Sequence, residues 1–345
     1  MAKVAIVYPL IIKGSGVGRV IYEISKRLCK EHKIDVYTFM CDLPISKDIG
    51  VFLYRKPIFQ SYDSLLVSLT IKHLLNSTKL SKYDLIWIHS VPSTLSALRI
   101  RKMGIPILYT FHGIRTIRDF RMQIYRVIAS ITFPKMDCIV GVSRFVTEEA
   151  RRYGGRALTI YNGCDLELFH PTWEDEGFIL FSGVGGKHKG LEFAIIASRL
   201  ARVPLKVTGG CPKDSKILAE KIGADVEFLG VISDDDLIKF YQRCSFLVSG
   251  SFHEAFGLNL LEAQACGKPV IARNCSAIPE VVRHGETGFL YNNMKELVSY
   301  IRLLWIDEDL RSRMGSSARK HAEKFSWDVT SSKYRKVINS LTTLR

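Results

Sequence analysis

Apolar side chains recur along this chain at two spacings, and the two spacings alternate regularly. Residues 3–8, 105–110 and 178–182 are short, mostly apolar runs of strand length. Residues 17–29 and 191–201 instead carry apolar side chains about three or four positions apart, the spacing of one helix face. Strand-length and helix-period segments that alternate in this way predict an α/β protein with parallel sheets.

The alternation is interrupted near the middle of the chain. The turn signal Asn162-Gly163 and the helix-breaking Pro171 come shortly before a new strand-length run. A chain of 345 residues is expected to form two domains. We therefore predict a first domain over residues 1–172 and a second over residues 173–326.

Charge is concentrated in the first half of the chain. Residues 1–170 hold 25 lysines and arginines against 13 acidic residues, a net charge of +12, whereas the remaining residues hold 24 against 21. A one-sided basic domain indicates an anionic partner such as an acidic lipid surface, a phosphorylated substrate or nucleic acid. The eight cysteines include no C-x-x-C pair, and no apolar run reaches 18 residues, so a cytoplasmic protein with reduced thiols and no membrane span is expected.

Residues 115–133 predict an amphipathic helix with one basic side. An ordinary surface helix has this pattern, and so does a basic face that binds anionic lipid or a phosphorylated acceptor. The charge of the first half favours the second interpretation. The basic side consists of Arg115, Arg118, Arg121 and Arg126, and the opposite side consists of Ile117, Phe120, Ile124, Ile128 and Ile131.

Candidate ligand-binding residues follow the predicted strands. A glycine-containing turn with Gly16 opens the first helix, and His112 follows the strand-length run 105–110. Open α/β sheets bind ligands at the carboxyl ends of their strands, where helix N-termini present N–H groups to phosphates. Each signal alone also fits a tight turn or an ordinary loop histidine. A nicotinamide cofactor is possible but disfavoured, because the next strand reaches an acidic residue, Asp42, only after Met40 and about two dozen positions past Gly18.

Glu254 and Glu262 are eight positions apart in a segment that follows another apolar strand. Eight positions are a little over two helical turns, so on a continuous helix the two carboxylates would share one face. Taken alone, the pair also fits two charges on the solvated face of a helix, with Glu254 placed to favour the helix dipole.

The order of motifs resembles the retaining glycosyltransferases of family 4, which have the GT-B fold of two Rossmann-like domains facing a central cleft. The match covers nearly the whole chain, and its most specific part is the segment around the two glutamates. The resemblance implies that residues 327–345 form a helix that returns to the first domain. The motifs are GSGVGR (14–19), TFHG (110–113), VSRF (142–145) with YNGCDLELFHP (161–171), KHKG (187–190), and HEAFGLNLLEAQACGKPVIA (253–272) with GETGFLY (285–291).

The resemblance implies a role for each matching residue in binding a nucleotide-diphosphate sugar. Glu254 corresponds to the glutamate that contacts hydroxyls of the transferred sugar, and Glu262 to the one that binds the ribose. Lys189 corresponds to the lysine that neutralises the leaving diphosphate, and His112 to the histidine near the reacting centre. Backbone N–H groups at a helix start would face the donor sugar and diphosphate around Phe256, Gly257, Leu258 and Asn259, and Gly16 corresponds to the loop near the donor phosphate.

One position departs from the family pattern. Val184 stands where the family has an arginine, so Lys187, or alternatively Arg144, is expected to supply the second cation for the diphosphate. The resemblance further implies transfer of a hexose with retention, without a cofactor or bound metal. The expected acceptor is a glycan or lipid-linked hydroxyl, which would place the enzyme at the cytoplasmic face of a membrane.

Two other functions are compatible with the same features. A nucleotide-sugar epimerase on the same architecture would turn over the donor alone and would give no transfer product. A non-catalytic basic module would bind single-stranded nucleic acid in a salt-dependent way, but the chain has neither a basic tail nor an aromatic-rich basic strand. No nucleic-acid partner is therefore expected.

Overall fold

The computed structural model describes residues 1–12, 14–43, 46–53, 80–114, 120–183, 187–210 and 212–343, without the side chains of residues 120, 121 and 187. The chain divides into two compact units. The first unit comprises Met1–Asn162 and Trp327–Arg345, and the second comprises Gly163–Ser326. Each unit contains its own parallel sheet, as the alternation of periods predicted.

The first unit is built on a sheet in the order β5-β3-β1-β6-β7-β8-β9. This order reverses direction between β1 and β6, as in doubly wound folds. β2 and β4 form a separate parallel pair. The strands are β1 (Lys3–Val7), β2 (Leu10–Ile11), β3 (Lys33–Thr38), β4 (Met40–Cys41), β5 (Gly50–Leu53), β6 (Leu85–Ile88), β7 (Ile107–Phe111), β8 (Cys138–Gly141) and β9 (Ala157–Thr159).

The helices described within residues 1–162 are α1 (Gly16–Leu28), α2 (Ala97–Ile100), α3 (Phe120–Thr132) and α4 (Arg144–Arg152), with short 3₁₀ segments at Leu80–Lys82, Pro92–Ser96, Arg101–Met103 and Phe133–Lys135. The hydroxyl of Ser15 caps α1 by accepting the N–H of Gly18 at 3.1 Å. Ser143 caps α4 in the same way through Val146. Both helices therefore begin just after a strand ends, at the edge where α/β folds bind ligands.

The second unit repeats the same topology with six strands in the order β12-β11-β10-β13-β14-β15. Its direction reverses between β10 and β13, so a crevice is expected at the carboxyl ends of these two strands. The strands are β10 (Ile179–Ser182), β11 (Leu205–Thr208), β12 (Val226–Gly230), β13 (Phe246–Ser249), β14 (Val270–Arg273) and β15 (Gly288–Tyr291). The helices are α5 (Leu191–Ala201), α6 (Lys213–Ile222), α7 (Asp234–Arg243), α8 (Leu258–Ala265), α9 (Ile278–Val281), α10 (Met294–Ile306) and α11 (Glu308–Ala322), with a 3₁₀ turn at Lys187–Lys189.

The last helix, α12 (Trp327–Thr343), belongs to the first unit, where it packs against α1. Trp327 and Tyr334 are buried, and the Tyr334 hydroxyl lies 3.1 Å from the hydroxyl of Thr110 in β7. Arg27 of α1 forms an ion pair with Asp328, with Nε and Oδ1 2.7 Å apart. Burying a large side chain such as Trp327 or Tyr334 stabilises the folded state by about 1.5–3 kcal/mol. The two aromatic side chains therefore hold α12 on the first sheet.

The boundary between the units falls earlier than the sequence indicated. Residues 163–172, which we placed in the first domain, belong to the second unit. Arg319 of α11 donates to the carbonyl of Phe169 at 2.8 Å, and Gln242 of α7 donates to the carbonyl of His170 at 3.0 Å. These long-range hydrogen bonds hold the segment to the second unit, and a turn signal at Pro171 does not reveal them.

No helix within the described ranges combines the length and the apolar character needed to cross a membrane.

Candidate functional site

Two backbone segments touch at the point where the strand order of the second unit reverses. Gly190 follows the 3₁₀ turn after β10, and Gly250 follows β13 directly. A Cβ atom added to Gly250 would lie 2.1 Å from the carbonyl oxygen of Gly190, and one added to Gly190 would lie 2.2 Å from that of Gly250. The N–H of Phe252 also donates to the carbonyl of His188 at 2.9 Å. The two loops are thus held together through their backbones, which only glycine permits at this distance.

These loops bring a lysine and a glutamate into contact. Lys189 Nζ lies 2.7 Å from Glu254 Oε1, and the two side chains are 24% and 11% exposed. The backbone of Glu254 is fixed as well, because its N–H donates to the hydroxyl of Ser276 at 2.9 Å and its carbonyl accepts the N–H of Ala277. A cation and an anion held side by side suit a ligand that carries both a phosphate and sugar hydroxyls.

An aromatic cluster around Arg273 at the end of β14 joins the same two loops. The centre of its guanidinium lies 4.7 Å from the ring centroid of Phe193 in α5 and 4.3 Å from that of Phe252. Phe193 follows Lys189 by four residues, and Phe252 precedes Glu254 by two. Cation–π contacts of about 0.5–2 kcal/mol therefore reinforce the placement of the ion pair.

Helix α8 begins close to the ion pair. Gly257, which caps it, has a φ of 98° in the left-handed region, and the side-chain amide of Asn259 donates to the carbonyl of Ser182 at 2.8 Å. The helix start is thereby fixed to the end of β10. First-turn N–H groups have no acceptor within their own helix, and the helix dipole adds partial positive charge, so the start of α8 suits an anionic group.

Glu254 does not lie on this helix. The eight-residue spacing suggested that both carboxylates share one helix face, but α8 begins at Leu258 and Glu254 lies in the preceding loop. Gly257 turns the chain between them, which a periodicity argument cannot detect. Phe256 is buried and its ring packs against Phe325 with centroids 6.1 Å apart, so only its backbone can face a ligand.

Glu262 is buried in the second turn of α8. The hydroxyl of Tyr241 lies 3.3 Å from Glu262 Oε2 and 3.0 Å from the hydroxyl of Ser182. A buried carboxylate of this kind is a strong acceptor for hydroxyl groups. Tyr241 was not among the predicted site residues, because a tyrosine on an amphipathic helix gives no sign of a partner 21 residues away.

The first unit carries polar residues at the corresponding edge of its sheet. Gly16 is the first residue of α1, directly after the capping Ser15. His112 follows β7, and His89 follows the neighbouring β6. His89 Nδ1 lies 3.2 Å from His112 Nε2, and the two rings stack with centroids 5.5 Å apart. Burial lowers the pKa of His112 to about 3 and holds the pKa of His89 well below its ordinary value. Both imidazole rings are therefore neutral near neutral pH.

A glutamate secures the loop that follows His112. Glu149 of α4 accepts the N–H of Ile114 at 3.3 Å. Burial raises the pKa of this carboxyl to about 7, although Arg126 and Arg152 oppose the change. The loop is therefore anchored by a group that titrates near neutral pH.

Comparisons with known proteins identify the family of this chain. The model of glycosyl transferases group 1 matches residues 168–321, and that of glycosyltransferase family 4 matches residues 14–168. An uncharacterized glycosyltransferase from Methanocaldococcus jannaschii is 30% identical over 304 residues, which cover 84% of this chain and 86% of that protein. The chain belongs to glycosyltransferase family 4.

Solved structures place this glycosyltransferase in the GT-B fold. Sucrose-phosphate synthase from Thermosynechococcus elongatus is similar over the whole of both chains, with a TM-score of 0.88 and 18% identity. HepE from Anabaena, solved in complex with UDP-glucose, is similar over 99% of this chain and 100% of that chain, with a TM-score of 0.79 and 19% identity. The predicted fold class, an α/β protein with two Rossmann-like sheets, is confirmed.

Several predicted residues of the glycosyltransferase fall outside the described part of the chain. Arg115 and Arg118 lie there, as does Val184, and the side chains of Arg121 and Lys187 are also outside it. Arg144, the alternative second cation, is exposed at the first position of α4. The structure thus brings together Lys189, Glu254, Glu262 and the start of α8 in one unit, and places Gly16 and His112 in the other.

Helix α3 differs from the predicted amphipathic pattern. Ile128 is buried, as expected, but Ile131 is 51% exposed although the sequence placed it on the inward side. Val127, one turn earlier, is 60% exposed, and Arg126 is half-buried. The described part of this helix is Phe120–Thr132, and the hydroxyl of Thr132 lies 2.7 Å from that of Thr94. Val127 and Ile131 are thus two apolar side chains on its outer face.

Within the described ranges, no three or more His, Cys, Asp or Glu side chains form a group suited to hold a metal ion.

Proposed function

We propose that this glycosyltransferase moves a hexose from a nucleotide-diphosphate sugar to an acceptor hydroxyl, with retention at the anomeric carbon and without a bound metal. The observation that supports this most directly is the contact between Lys189 and Glu254 in the loops beside the start of α8. The contact joins a cation for a diphosphate to a carboxylate for sugar hydroxyls within one site. A dinucleotide or a metal ion would require a different set of groups.

The donor is proposed to lie along α8. Its diphosphate would occupy the helix start, where Lys189 and the N–H groups of Leu258 and Asn259 supply positive charge. Glu254 would accept hydroxyls of the sugar, and Glu262, further along the helix, would accept those of the ribose. Family resemblance assigns His112 to the sugar and the reacting centre, and Gly16 to the loop near the donor phosphate.

The proposed chemistry is electrostatic. As the bond between the anomeric carbon and the diphosphate oxygen breaks, negative charge grows on the diphosphate, where Lys189 and the amides of α8 stabilise it. The acceptor hydroxyl attacks on the face that the diphosphate leaves, and its proton passes to an oxygen of the departing phosphate. No enzyme nucleophile takes part, so the protein supplies only orientation and charge.

A donor panel tests this proposal. UDP-glucose, UDP-galactose, UDP-N-acetylglucosamine, GDP-mannose and ADP-glucose are each added to the protein in the presence of EDTA, and the thermal midpoint is measured. A ligand at 100 times its Kd stabilises the folded state by about 2.7 kcal/mol, so a true donor raises the midpoint clearly. Transfer from that donor should give a product with the donor's anomeric configuration by proton NMR. An unmoved midpoint for every nucleotide sugar, or an inverted product, would contradict the proposal.

The acceptor is proposed to be a glycan or lipid-linked hydroxyl at a membrane surface on the cytoplasmic side. The net charge of +12 on residues 1–170 supports attraction to anionic lipid. Val127 and Ile131 add an exposed apolar pair on α3, one turn apart beside Arg126. Basic and apolar groups on one helix are typical of segments that lie in a membrane interface.

Vesicle sedimentation tests the membrane proposal. We expect the double variant Val127→Ser/Ile131→Ser to lower partitioning onto vesicles with anionic lipid by about tenfold or more, because each apolar side chain contributes about 1.5–3 kcal/mol when fully buried. Arg126→Ser should lower it less and mainly at low salt. Ile217→Ser is the matched control, since Ile217 is also 60% exposed but lies on α6 of the second unit. Unchanged sedimentation of the double variant would contradict the proposal that α3 binds the membrane surface.

A further inference from the structure

His89 is a buried polar residue in contact with His112, a proposed catalytic side chain of the first unit. Its side chain is 3% exposed, and its backbone N–H donates to the carbonyl of Val7 at 3.2 Å. Its ring packs on Trp87 with centroids 5.0 Å apart and meets the edge of Tyr8 at 6.4 Å. Trp87 is itself fixed, because its indole N–H donates to the Thr110 hydroxyl at 2.8 Å. The packing leaves the His89 ring little freedom to turn.

The hydrogen bond between His89 and His112 contains one proton, which either ring could supply. A neutral imidazole carries one N–H and one bare ring nitrogen, so one ring donates and the other accepts across the 3.2 Å between His89 Nδ1 and His112 Nε2. Burial keeps the pKa of each histidine well below its ordinary value, so neither ring gains a second proton near neutral pH. Two arrangements of the single proton remain.

The remaining nitrogen of His89 distinguishes the two arrangements. His89 Nε2 is buried and has no hydrogen-bond partner among the described residues. If His112 were the donor, the proton of His89 would sit on this nitrogen as a buried N–H without an acceptor, which is rare in folded proteins and costs about 1–3 kcal/mol. If His89 is the donor, its Nε2 carries only an unpaired acceptor site. His112 then accepts at Nε2 and carries its own proton on Nδ1.

We infer that His89 is a positioning residue that holds His112 in the Nδ1–H form, so that His112 offers a hydrogen-bond donor at Nδ1 to the bound sugar. His112 Nδ1 makes no hydrogen bond with the described residues, and His112 keeps part of its surface exposed. The inference rests on the proposed function for the sugar contact, whereas the proton position itself does not depend on it. His89 thus acts through His112 and does not touch the reacting atoms.

Nitrogen-15 NMR tests the proton position without any substrate. Protein labelled with ¹⁵N-histidine is measured at pH 7 by two-bond ¹⁵N–¹H correlation, and the two rings are assigned from the His89→Phe and His112→Phe variants. We expect a protonated Nδ1 and a bare Nε2 for His112, with a protonated Nδ1 for His89. A protonated Nε2 on His112 would overturn the inference, whether or not the protein transfers sugar.

Two variants of His89 separate positioning from packing. His89→Asn can place an amide N–H where Nδ1 donates, whereas His89→Phe keeps the ring volume and loses the donor. We expect His89→Phe to lower kcat by about 10- to 100-fold with unchanged affinity for the nucleotide diphosphate, and His89→Asn to restore most of kcat. A role in packing alone predicts the reverse order of the two variants, and that order would overturn the inference.

These measurements also separate the inference from the proposed function. If the wild-type protein transfers no sugar, the kinetic arm reports on the proposed function, and the NMR arm still decides the position of the proton. If transfer occurs and His112 shows the Nε2–H form, the function stands and the inference about His89 is wrong. His112→Phe, which removes the donor itself, sets the lower limit against which His89→Phe is compared.

Discussion

Glu254→Gln is expected to lower the rate of sugar transfer by about 100- to 1,000-fold while leaving the affinity for the nucleotide diphosphate nearly unchanged. Each hydrogen bond to a charged group contributes about 1.5–3 kcal/mol, and a carboxylate can accept two sugar hydroxyls. Lys189, which now contacts Glu254 at 2.7 Å, keeps its charge for the diphosphate in this variant. Steady-state kinetics and nucleotide titration calorimetry on the same preparation measure the two effects.

Glu262→Gln is the informative comparison for Glu254→Gln. Its carboxylate is buried beside Tyr241 in the second turn of α8, where the ribose is proposed to bind. We expect the nucleotide Kd to rise by about 10- to 100-fold, because one or two charged hydrogen bonds weaken. Glu227→Gln is the surface control, since this glutamate is 58% exposed in a pair with Lys206. If Glu254→Gln and Glu262→Gln both transfer sugar at the wild-type rate, the assignment of the site is wrong.

The fold could be predicted because the positions of strands and helices depend on patterns among residues close together in the sequence. Strand-length runs alternated with helical spacing throughout the chain, and both sheets contain the strands that these runs indicated, such as β1, β10 and β13. Serine is a residue type that favours the N-cap position, and Ser143 and Ser233 cap α4 and α7 in the structure. Such signals depend on neighbouring residues, so the amino-acid sequence displays them directly.

Contacts between distant residues account for what the sequence did not predict. The boundary after Asn162 depends on Arg319, which reaches a carbonyl 150 residues away at Phe169. The burial of Ile128 and the exposure of Ile131 depend on what α3 packs against, and a helical wheel does not contain that information. The contact of His89 with His112 could likewise not be predicted, because it depends on the pairing of two strands that are distant in sequence.

The site shows the same division. The spacing drew attention to Glu254 and Glu262, the family resemblance added Lys189, and the structure brings Lys189 and Glu254 into contact. The residues that hold these side chains in place could not be predicted, because Arg273 and Tyr241 reach the site only through contacts between distant parts of the chain. From the sequence alone, Gly250 could have been a glycine of an ordinary turn. Only its backbone contact with Gly190 shows that the site requires a glycine there.

That backbone contact makes Gly250→Ala the second change with a large expected effect. The added Cβ would lie 2.1 Å from the carbonyl oxygen of Gly190, closer than real Cβ contacts occur, and the obstacle is backbone rather than a flexible side chain. The loops with Lys189 and Glu254 must then move apart. Overpacking of this kind costs about 1–3 kcal/mol, and a displacement of about 1 Å in a site can cost 100-fold in rate.

We therefore expect Gly250→Ala to stay folded with a lowered thermal midpoint, and to lose about 100-fold in transfer rate. Gly183→Ala is the matched control, because this glycine follows β10 beside the same site but its Cβ would have no neighbour closer than 3.6 Å among the residues that the structure describes. Neither glycine has a φ in the left-handed region, so the backbone conformation itself penalises neither alanine. Equal activity of the two variants would mean that the loops adapt to the added methyl group without moving the ion pair. A loss confined to Gly250→Ala would tie the catalytic rate to the separation of the two loops.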